Sequence, residues 1–477
     1  MNGQNVIVLC SDEHARSAMG AAGHGVVKTP TLDRLAARGT RFERAYSPSP
    51  ICVPARASLA TGTHVFEHRC WSSAEPYRGQ VESWMHRLRD AGHAVVSVGK
   101  LHFRSADDDN GFSEEIAPMH VTNEGRGWLH GLLRDPLPEY PEAAELAATL
   151  GPGDSAYADY DREITAEACR WLRRYPKRIK DRPWVLFVSF VSPHYPLLAP
   201  QPFFDLYGDS AIPDPIDGLE ERRPDHPVLD QMAWFWNYDE YFDPETRRLA
   251  RRSYYGLCSF LDDNVRQVLE ALEESGGARN TDVLYLSDHG EMLGDHGFWT
   301  KSVMYEGAVG VPMILTGSEV PVGVNQTPVS LTDVAATIER SVKRERPPAG
   351  EAWQGRPLQG FIEAPEPDRF VLSEYHDGGS PTGFFMIRHG AWKYVHYVGD
   401  HPDQLFDLDS DPLERHDLGE DRRLEGTRER LHGLLCRMLD PDSVNAEAFA
   451  DQAKLLTSLG GREKVLALPS FNHTPVG

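Results

Sequence analysis

Residues 5–14 read NVIVLCSDEH, and this stretch decides the fold. Val6 to Cys10 are apolar without a break, and Ser11, Asp12, Glu13 and His14 follow at once. An unbroken apolar run this short is a strand buried on both faces, because a strand with one wet face alternates. The same pattern returns in HAVVSVGK (93–100), WVLFVSFVSPH (184–194), TDVLYLSDHG (281–290) and VPMILTG (311–317). Helical periodicities lie between these runs. They are TPTLDRLAARG (29–39), with Pro near its start and Gly at its stop, VESWMHRLRDAGH (81–93), DREITAEACRWLRRY (161–175) and RRSYYGLCSFLDDNVRQVLEALEESGG (251–277). Alternation of apolar strands with helices predicts an α/β fold, a large and mostly parallel sheet sandwiched by helices.

Past residue 365 the pattern changes. GFFMIRHGAWKYVHYVG (383–399) reads as two strands around a His-Gly turn, QLFDLDSDPLERHDL (404–418) as a short strand and turn, and LEGTRERLHGLLCRML (424–439) as a helix. The expected organisation is a large α/β domain over 1–365 and a small C-terminal α+β domain with an extended tail over 366–477. The aromatic stretch MAWFWNYDEYF (232–242) fits neither pattern and reads as an insertion at the top of the sheet, an oligomer contact or a lid.

Lys and Arg number 49 against 72 Asp and Glu, a net charge of −23 over 477 residues. Such a chain is a poor partner for nucleic acid or an anionic membrane, which bind basic patches. An anionic small molecule would need a locally positive pocket. The N-terminus has no basic segment and only a short apolar run, unlike a signal peptide. No stretch approaches the roughly 18 apolar residues of a membrane span. Six scattered cysteines without a CxxC pair point to a reduced, cytoplasmic protein.

In parallel sheets ligands bind beyond the carboxyl ends of the strands. Asp12, Glu13 and His14 follow the first strand, Lys100 and His102 the second, His194 and Tyr195 the third, and Asp288 and His289 the fourth. Singly, each has an ordinary structural reading, as a helix cap, a loop histidine or a solvated lysine. Together they place carboxylates and an imidazole at one edge, a set that suits a hard divalent cation such as Ca²⁺, Mg²⁺ or Mn²⁺. Asp295 and His296, in the second Asp-His-Gly triplet, are expected to shape the following loop. Lys301 is placed to clamp an anion or serve a leaving group.

Cys52, in ICVPARASLATG (51–62), reads from its chemistry as either a small buried hydrophobe or a thiol activated at a helix start. Cys52-Val-Pro-Ala-Arg56, followed by Leu59-Ala-Thr-Gly62, resembles the C-x-P-x-R motif and tail of the sulfatase family. The likeness extends to KTPTLDRLAARGTRFERAYSPSP (28–50), VGKLHF, SPHYP, SDHGEMLGDHGFWTK (287–301) and LFDLDSDPLERHDL (405–418), in family order. The chain is identified as a member of the formylglycine-dependent (type I) sulfatases, a branch of the alkaline-phosphatase superfamily.

The resemblance implies that a formylglycine-generating enzyme oxidises Cys52 to an aldehyde, which hydrates. One hydroxyl then attacks sulfur in line, and the second lets the sulfated hemiacetal collapse and expel sulfate. It implies one divalent metal, Ca²⁺ first, then Mn²⁺ or Mg²⁺, held by Asp12, Asp288, His289 and the modified Cys52, with Glu13 as a further ligand. Arg56 would brace the diol, Lys100 and Lys301 would balance charge on the sulfuryl group, His102 would orient or deprotonate the diol, and His194 would protonate the leaving oxygen with Lys301.

Ala55 stands where the family commonly has Ser, Glu13 where it has a second Asp, and His289 where arylsulfatases have Asn. An Asp-His pair is similar to choline-sulfatase-like and phosphonate-monoester-hydrolase-like members, whereas Lys100-x-His102 is similar to sulfatases proper. The expected substrate is a small anionic sulfate ester, with a phosphonate monoester or phosphodiester as the alternative. Tyr195, the aromatic insertion and Glu374-Tyr375-His376 are expected to wall the alcohol side, where an aromatic cage would suit a quaternary ammonium group. The protein is expected to be a homo-oligomer, dimer or tetramer, with the tail FNHTPVG (471–477) packed on a neighbouring subunit near the site.

Overall fold

The computed structural model describes residues 3–140, 143–174, 182–216, 223–343, 353–471 and 473–476. Tyr175, expected to end a helix, and Asn472 and Gly477 of the tail lie outside the described residues. Eight strands form one sheet: β1 (Asn5–Asp12), β2 (Thr40–Phe42), β3 (Ala94–Lys100), β4 (Glu114–Met119), β5 (Trp184–Pro193), β6 (Thr281–Ser287), β7 (Met313–Thr316) and β8 (Gly323–Asn325). Their order is β8-β2-β7-β6-β1-β5-β3-β4. β6, β1, β5, β3 and β4 run parallel, and β7 is antiparallel to both of its neighbours.

The apolar runs are continuous because the sheet is covered on both faces. Val6, Val8 and Cys10 of β1 share one core with α2 (Cys52–Thr61), α3 (Trp84–Asp90) and α7 (Asp333–Lys343). Ile7 and Leu9, pointing the other way, share a second core with α1 (Pro30–Ala36), α4 (Ala156–Arg174) and α6 (Pro244–Glu274). The sequence places the start of α6 too late. Pro244 occupies its first turn, and the Asp243 side chain caps it by accepting from the Thr246 N–H at 2.8 Å.

A four-stranded antiparallel sheet follows, β9 (Phe370–Tyr375), β10 (Phe384–His389), β11 (Trp392–Tyr397) and β12 (Gln404–Asp407), paired in chain order. Val371, Met386, Val395 and Phe406 on one face pack on Val303, Met304 and Tyr305 of the large unit. Leu372, Ile387 and Leu405 on the other pack under α8 (Glu425–Met438). The hairpin, the strand at 404 and the helix at 425 are as the sequence predicts, while β9 and α9 (Pro441–Ser458) are not foreseen by it.

A buried charge cluster joins the two sheets. Lys393 of β11 is fully buried and pairs with Glu414 at 2.6 Å and Glu306 at 3.2 Å. Glu306 also pairs with Arg16 and accepts from the Tyr46 hydroxyl. The Asp-Pro-Leu-Glu turn at 411–414 thus delivers a carboxylate to the joint between the sheets. Lys393→Met, which strands Glu414 without its cation, is expected to destabilise the protein by about 3–5 kcal/mol, measured by urea unfolding.

Candidate active site

β6, β1, β5 and β3 are neighbours and parallel, so their carboxyl ends open at one edge. Local backbone features aim each side chain. Glu13, just past β1, has φ +65°, and His102, just past β3, has φ +54°. Gly99 has φ +98°, and a Cβ there would lie 2.3 Å from the Ser189 carbonyl oxygen. Only glycine fits this crossing, and the irregularity it makes in β3 turns Lys100 inward. At the end of β5, the Asp161 carboxylate of α4 accepts the N–H groups of Val191 and Ser192 at 2.8 and 2.9 Å. That contact holds the turn that carries His194. The sequence reading missed Asp161, although its spacing to Tyr157, Ile164 and Ala168 puts it on the buried face of α4.

Arg56, one turn into α2 and 2% exposed, organises the centre. Its Nε donates to Asp288 Oδ2 at 2.7 Å and its Nη2 to Asp12 Oδ2 at 3.0 Å. Its Nη1 donates to the Lys100 carbonyl and to Ser189 Oγ. Lys100 Nζ adds a contact of 2.6 Å to Asp12 Oδ2. The Oδ2 atoms are therefore taken. Of the Oδ1 atoms, that of Asp288 accepts the backbone N–H groups of Glu13 at 3.2 Å and His289 at 2.9 Å, and that of Asp12 lies 3.8 Å from Cys52 Sγ. Burial opposes the charge on Asp12, but Lys100, His194, Arg56 and His289 hold its carboxyl well below the usual range.

His289 Nδ1–H donates to the Gly290 carbonyl at 3.0 Å, which leaves the Nε2 lone pair aimed inward. That Nε2 lies 3.7 Å from Asp288 Oδ1, 3.8 Å from Asp12 Oδ1 and 3.0 Å from Cys52 Sγ. The donor atoms of Asp12, Cys52, Asp288 and His289 all lie within 4.8 Å of one another, and all four residues are buried. Two carboxylate oxygens and an imidazole with its tautomer fixed fit a divalent cation. Glu13 falls outside this set, in a second grouping with Asp12 and His194.

Cys52 is the first residue of α2, and Pro54 sits in the first turn, where its missing N–H has no intrahelical acceptor to lose. Burial, with the Asp12 carboxylate, pushes the Cys52 thiol up to about 12. Lys301 Nζ lies 3.5 Å from Cys52 Sγ and 3.3 Å from Glu13 Oε2. It also lies 2.7 Å from His194 Nε2, while His194 Nδ1–H donates to the Tyr195 carbonyl at 2.6 Å. His194 Nε2 is therefore the acceptor and Lys301 the donor. Burial works against the Lys301 charge, but Cys52, Glu13, Asp12 and Asp288 raise its pKa above the ordinary lysine value. Burial and then Lys301 hold His194 well below the ordinary histidine value. Burial, Lys100 and Arg56 do the same to His102.

Asp12, Glu13, Cys52, Arg56, Lys100, His102, His194, Asp288, His289 and Lys301 thus meet at one edge, whereas the His14 ring turns away to the Tyr285 hydroxyl and the Ala18 carbonyl. A cleft leads outward from Cys52, His102, His194 and Lys301. Tyr195 and, from the aromatic insertion, Trp236 at the end of α5 (Pro227–Trp236) line it. Glu374, Tyr375 and His376 do not. They are fully buried in β9 and just beyond it, where Glu374 Oε1 accepts the Phe66 N–H. Trp128, Tyr140, Phe471 and His473 line the cleft instead. The tail expected on a neighbouring subunit lies in its own chain's cleft. The short helix Arg462–Leu466 packs back on residues 129–132, His130 Nε2–H donates to the Val465 carbonyl, and the Tyr157 hydroxyl donates to the Thr474 carbonyl at 2.7 Å. Asp295 and His296 shape the following loop, Asp295 by accepting from Ile216 N and Arg251 and His296 by stacking on Tyr305.

A parallel α/β sheet with acidic, imidazole and ammonium groups around a cysteine at a helix start defines a hydrolase-type anion site. The sulfatase family model matches residues 4–340, and the C-terminal model of N-sulphoglucosamine sulphohydrolase matches 294–440. The chain belongs to the sulfatase family. It is 32% identical to a choline-sulfatase of Rhizobium meliloti over 444 residues, 88% of this chain and 83% of that one. It is 26% identical to arylsulfatase K of Danio rerio over 432 residues, 86% and 79% of the two chains. A phosphonate monoester hydrolase from Silicibacter pomeroyi shares the fold, with a TM-score of 0.72 at 24% identity over 91% of this chain and 95% of that one. So does a protein solved with D-glucosamine-2-N,6-O-disulfate, with a TM-score of 0.73 at 19% identity over 92% and 99%.

Asp161→Ala strands two buried N–H groups at the turn before His194. Urea unfolding is expected to show a loss of about 1–3 kcal/mol.

Proposed function

We propose that the protein hydrolyses a sulfate ester to an alcohol and inorganic sulfate, with Cys52 converted to formylglycine by a maturation enzyme. The observation that carries this reading is the meeting of Cys52 Sγ, Asp12 Oδ1, Asp288 Oδ1 and His289 Nε2 between two lysines. As a protonated thiol, Cys52 would be a weak nucleophile, and the modified side chain supplies the missing one. Asp12, Asp288, His289 and the oxygen at position 52 would hold one divalent cation, Ca²⁺ or Mn²⁺. The cation would lower the pKa of the nucleophilic hydroxyl and polarise the sulfuryl group.

The remaining roles belong to the chain's own groups. Arg56 fixes Asp12 and Asp288 so that their Oδ1 atoms stay aimed inward. Lys100 and Lys301 balance the sulfuryl charge within a protein of net charge −23. His102 lines the cleft with Cys52, has neither ring nitrogen hydrogen-bonded, and would take a proton from the hydrated aldehyde. Lys301 carries the proton for the leaving oxygen, and His194, locked by the Tyr195 carbonyl, positions that ammonium group. Glu13 serves as the counter-ion of Lys301. The large and small sheets divide as domains near residue 365.

Protein produced together with a formylglycine-generating enzyme tests the reading. The Cys52 peptide is expected to carry an aldehyde by mass spectrometry, and Cys52→Ala to abolish hydrolysis of 4-nitrophenyl sulfate. Higher kcat/KM on a phenyl phosphonate monoester than on the sulfate would transfer the assignment to the phosphonate alternative. Lys301→Ala is expected to lower kcat by about 10²–10⁴ on alkyl sulfates and by much less on 4-nitrophenyl sulfate, whose leaving group needs no proton.

A further inference from the structure

We propose that the alcohol half of the substrate is a flat, uncharged, apolar group, an aryl or fused-ring alcohol, lying on a wall made by Trp128, Tyr140 and Trp236. This deepens the sulfate-ester reading and rests on it. Trp128 and Trp236 stack at 21° with ring centroids 5.9 Å apart. Tyr140 stands edge-on to both, at 6.0 and 4.9 Å. Rings this close leave no room between them for a ligand, so they present one continuous apolar surface. Phe471 of the tail adds to the lining, and Tyr157 pins the tail through Thr474.

Two other alcohol classes fit this surface poorly. A quaternary ammonium group is held by ring faces that surround it, and the three packed rings cannot surround anything. Tyr195 already faces a cation, with Lys301 Nζ 5.2 Å from its centroid, so a cationic ligand would meet like charge. Glu13 is already engaged with Lys301, and among the described lining residues there is no Asp or Glu for a second cation. A sugar needs partners for its hydroxyls. The Ser73 hydroxyl is committed to Asp377, and the Trp128 indole N–H donates to Ser470 Oγ at 3.2 Å.

Calorimetric titration of 2-naphthol, choline and glucosamine into the protein reads this subsite without any turnover, so its outcome is independent of whether sulfate or phosphonate is the reacting group. The Kd of 2-naphthol is expected to be at least about tenfold below the other two. Choline or glucosamine binding as tightly as 2-naphthol would overturn the proposal. Trp236→Ala is expected to weaken 2-naphthol by about tenfold and to raise KM for 2-naphthyl sulfate similarly, with kcat held within about twofold. An unchanged 2-naphthol affinity in that variant would also overturn it. If the variant does not fold, the ranking on the unaltered protein decides.

Discussion

Arg56 lies buried between two carboxylates, and the site depends on that contact. Asp12 ends one strand and Asp288 follows the next, and neither could keep a charge at full burial alone. The guanidinium fork binds one oxygen of each, which sets their spacing and turns the other oxygen of each toward Cys52 and His289. The same side chain ties in the Lys100 carbonyl and Ser189. Four neighbouring strands, β6, β1, β5 and β3, and the start of α2 are therefore fixed to one planar group. Cys52 stands one helical turn away on the same helix, so its position relative to the carboxylates is set by α-helical geometry.

Charge in the site is arranged in layers. The protein as a whole is strongly acidic, yet the inner end of the cleft carries Lys301 beside the neutral imidazoles of His102 and His194. An anionic ester head entering there exchanges water for fixed cations in a buried setting, where such interactions are strong. The outer end is neutral and aromatic. Polarity thus falls along the cleft from its inner end outward.

Much of the fold was legible in single segments. Val6–Cys10, Val185–Val191 and Val283–Leu286 read as buried strands because unbroken apolar runs need cover on both faces. The polar residues behind them read as a site because parallel strands bring their carboxyl ends to one edge. Elements whose signals are ambiguous locally were not legible. β9 and the start of α6 fall in this group, as does Asp161, whose carboxylate caps a strand end nearly thirty residues further along the chain. The wall of the cleft was half legible. Trp236 lay in a marked aromatic stretch, but Trp128 and Tyr140 sit in a segment of weak periodicity.

The sequence by itself determined the chemistry of the inner site: which side chains carry charge, which cysteine opens a helix, and which strand each acid or imidazole follows. These are local properties, set by composition and by periodicities of two and 3.6 residues. Tertiary structure alone decided which oxygen of each carboxylate Arg56 takes, that the proton between Lys301 and His194 rests on the lysine, and that the tail lines its own chain's cleft. Each of these depends on groups at least 44 residues apart or on a single carbonyl direction, and no local pattern encodes either.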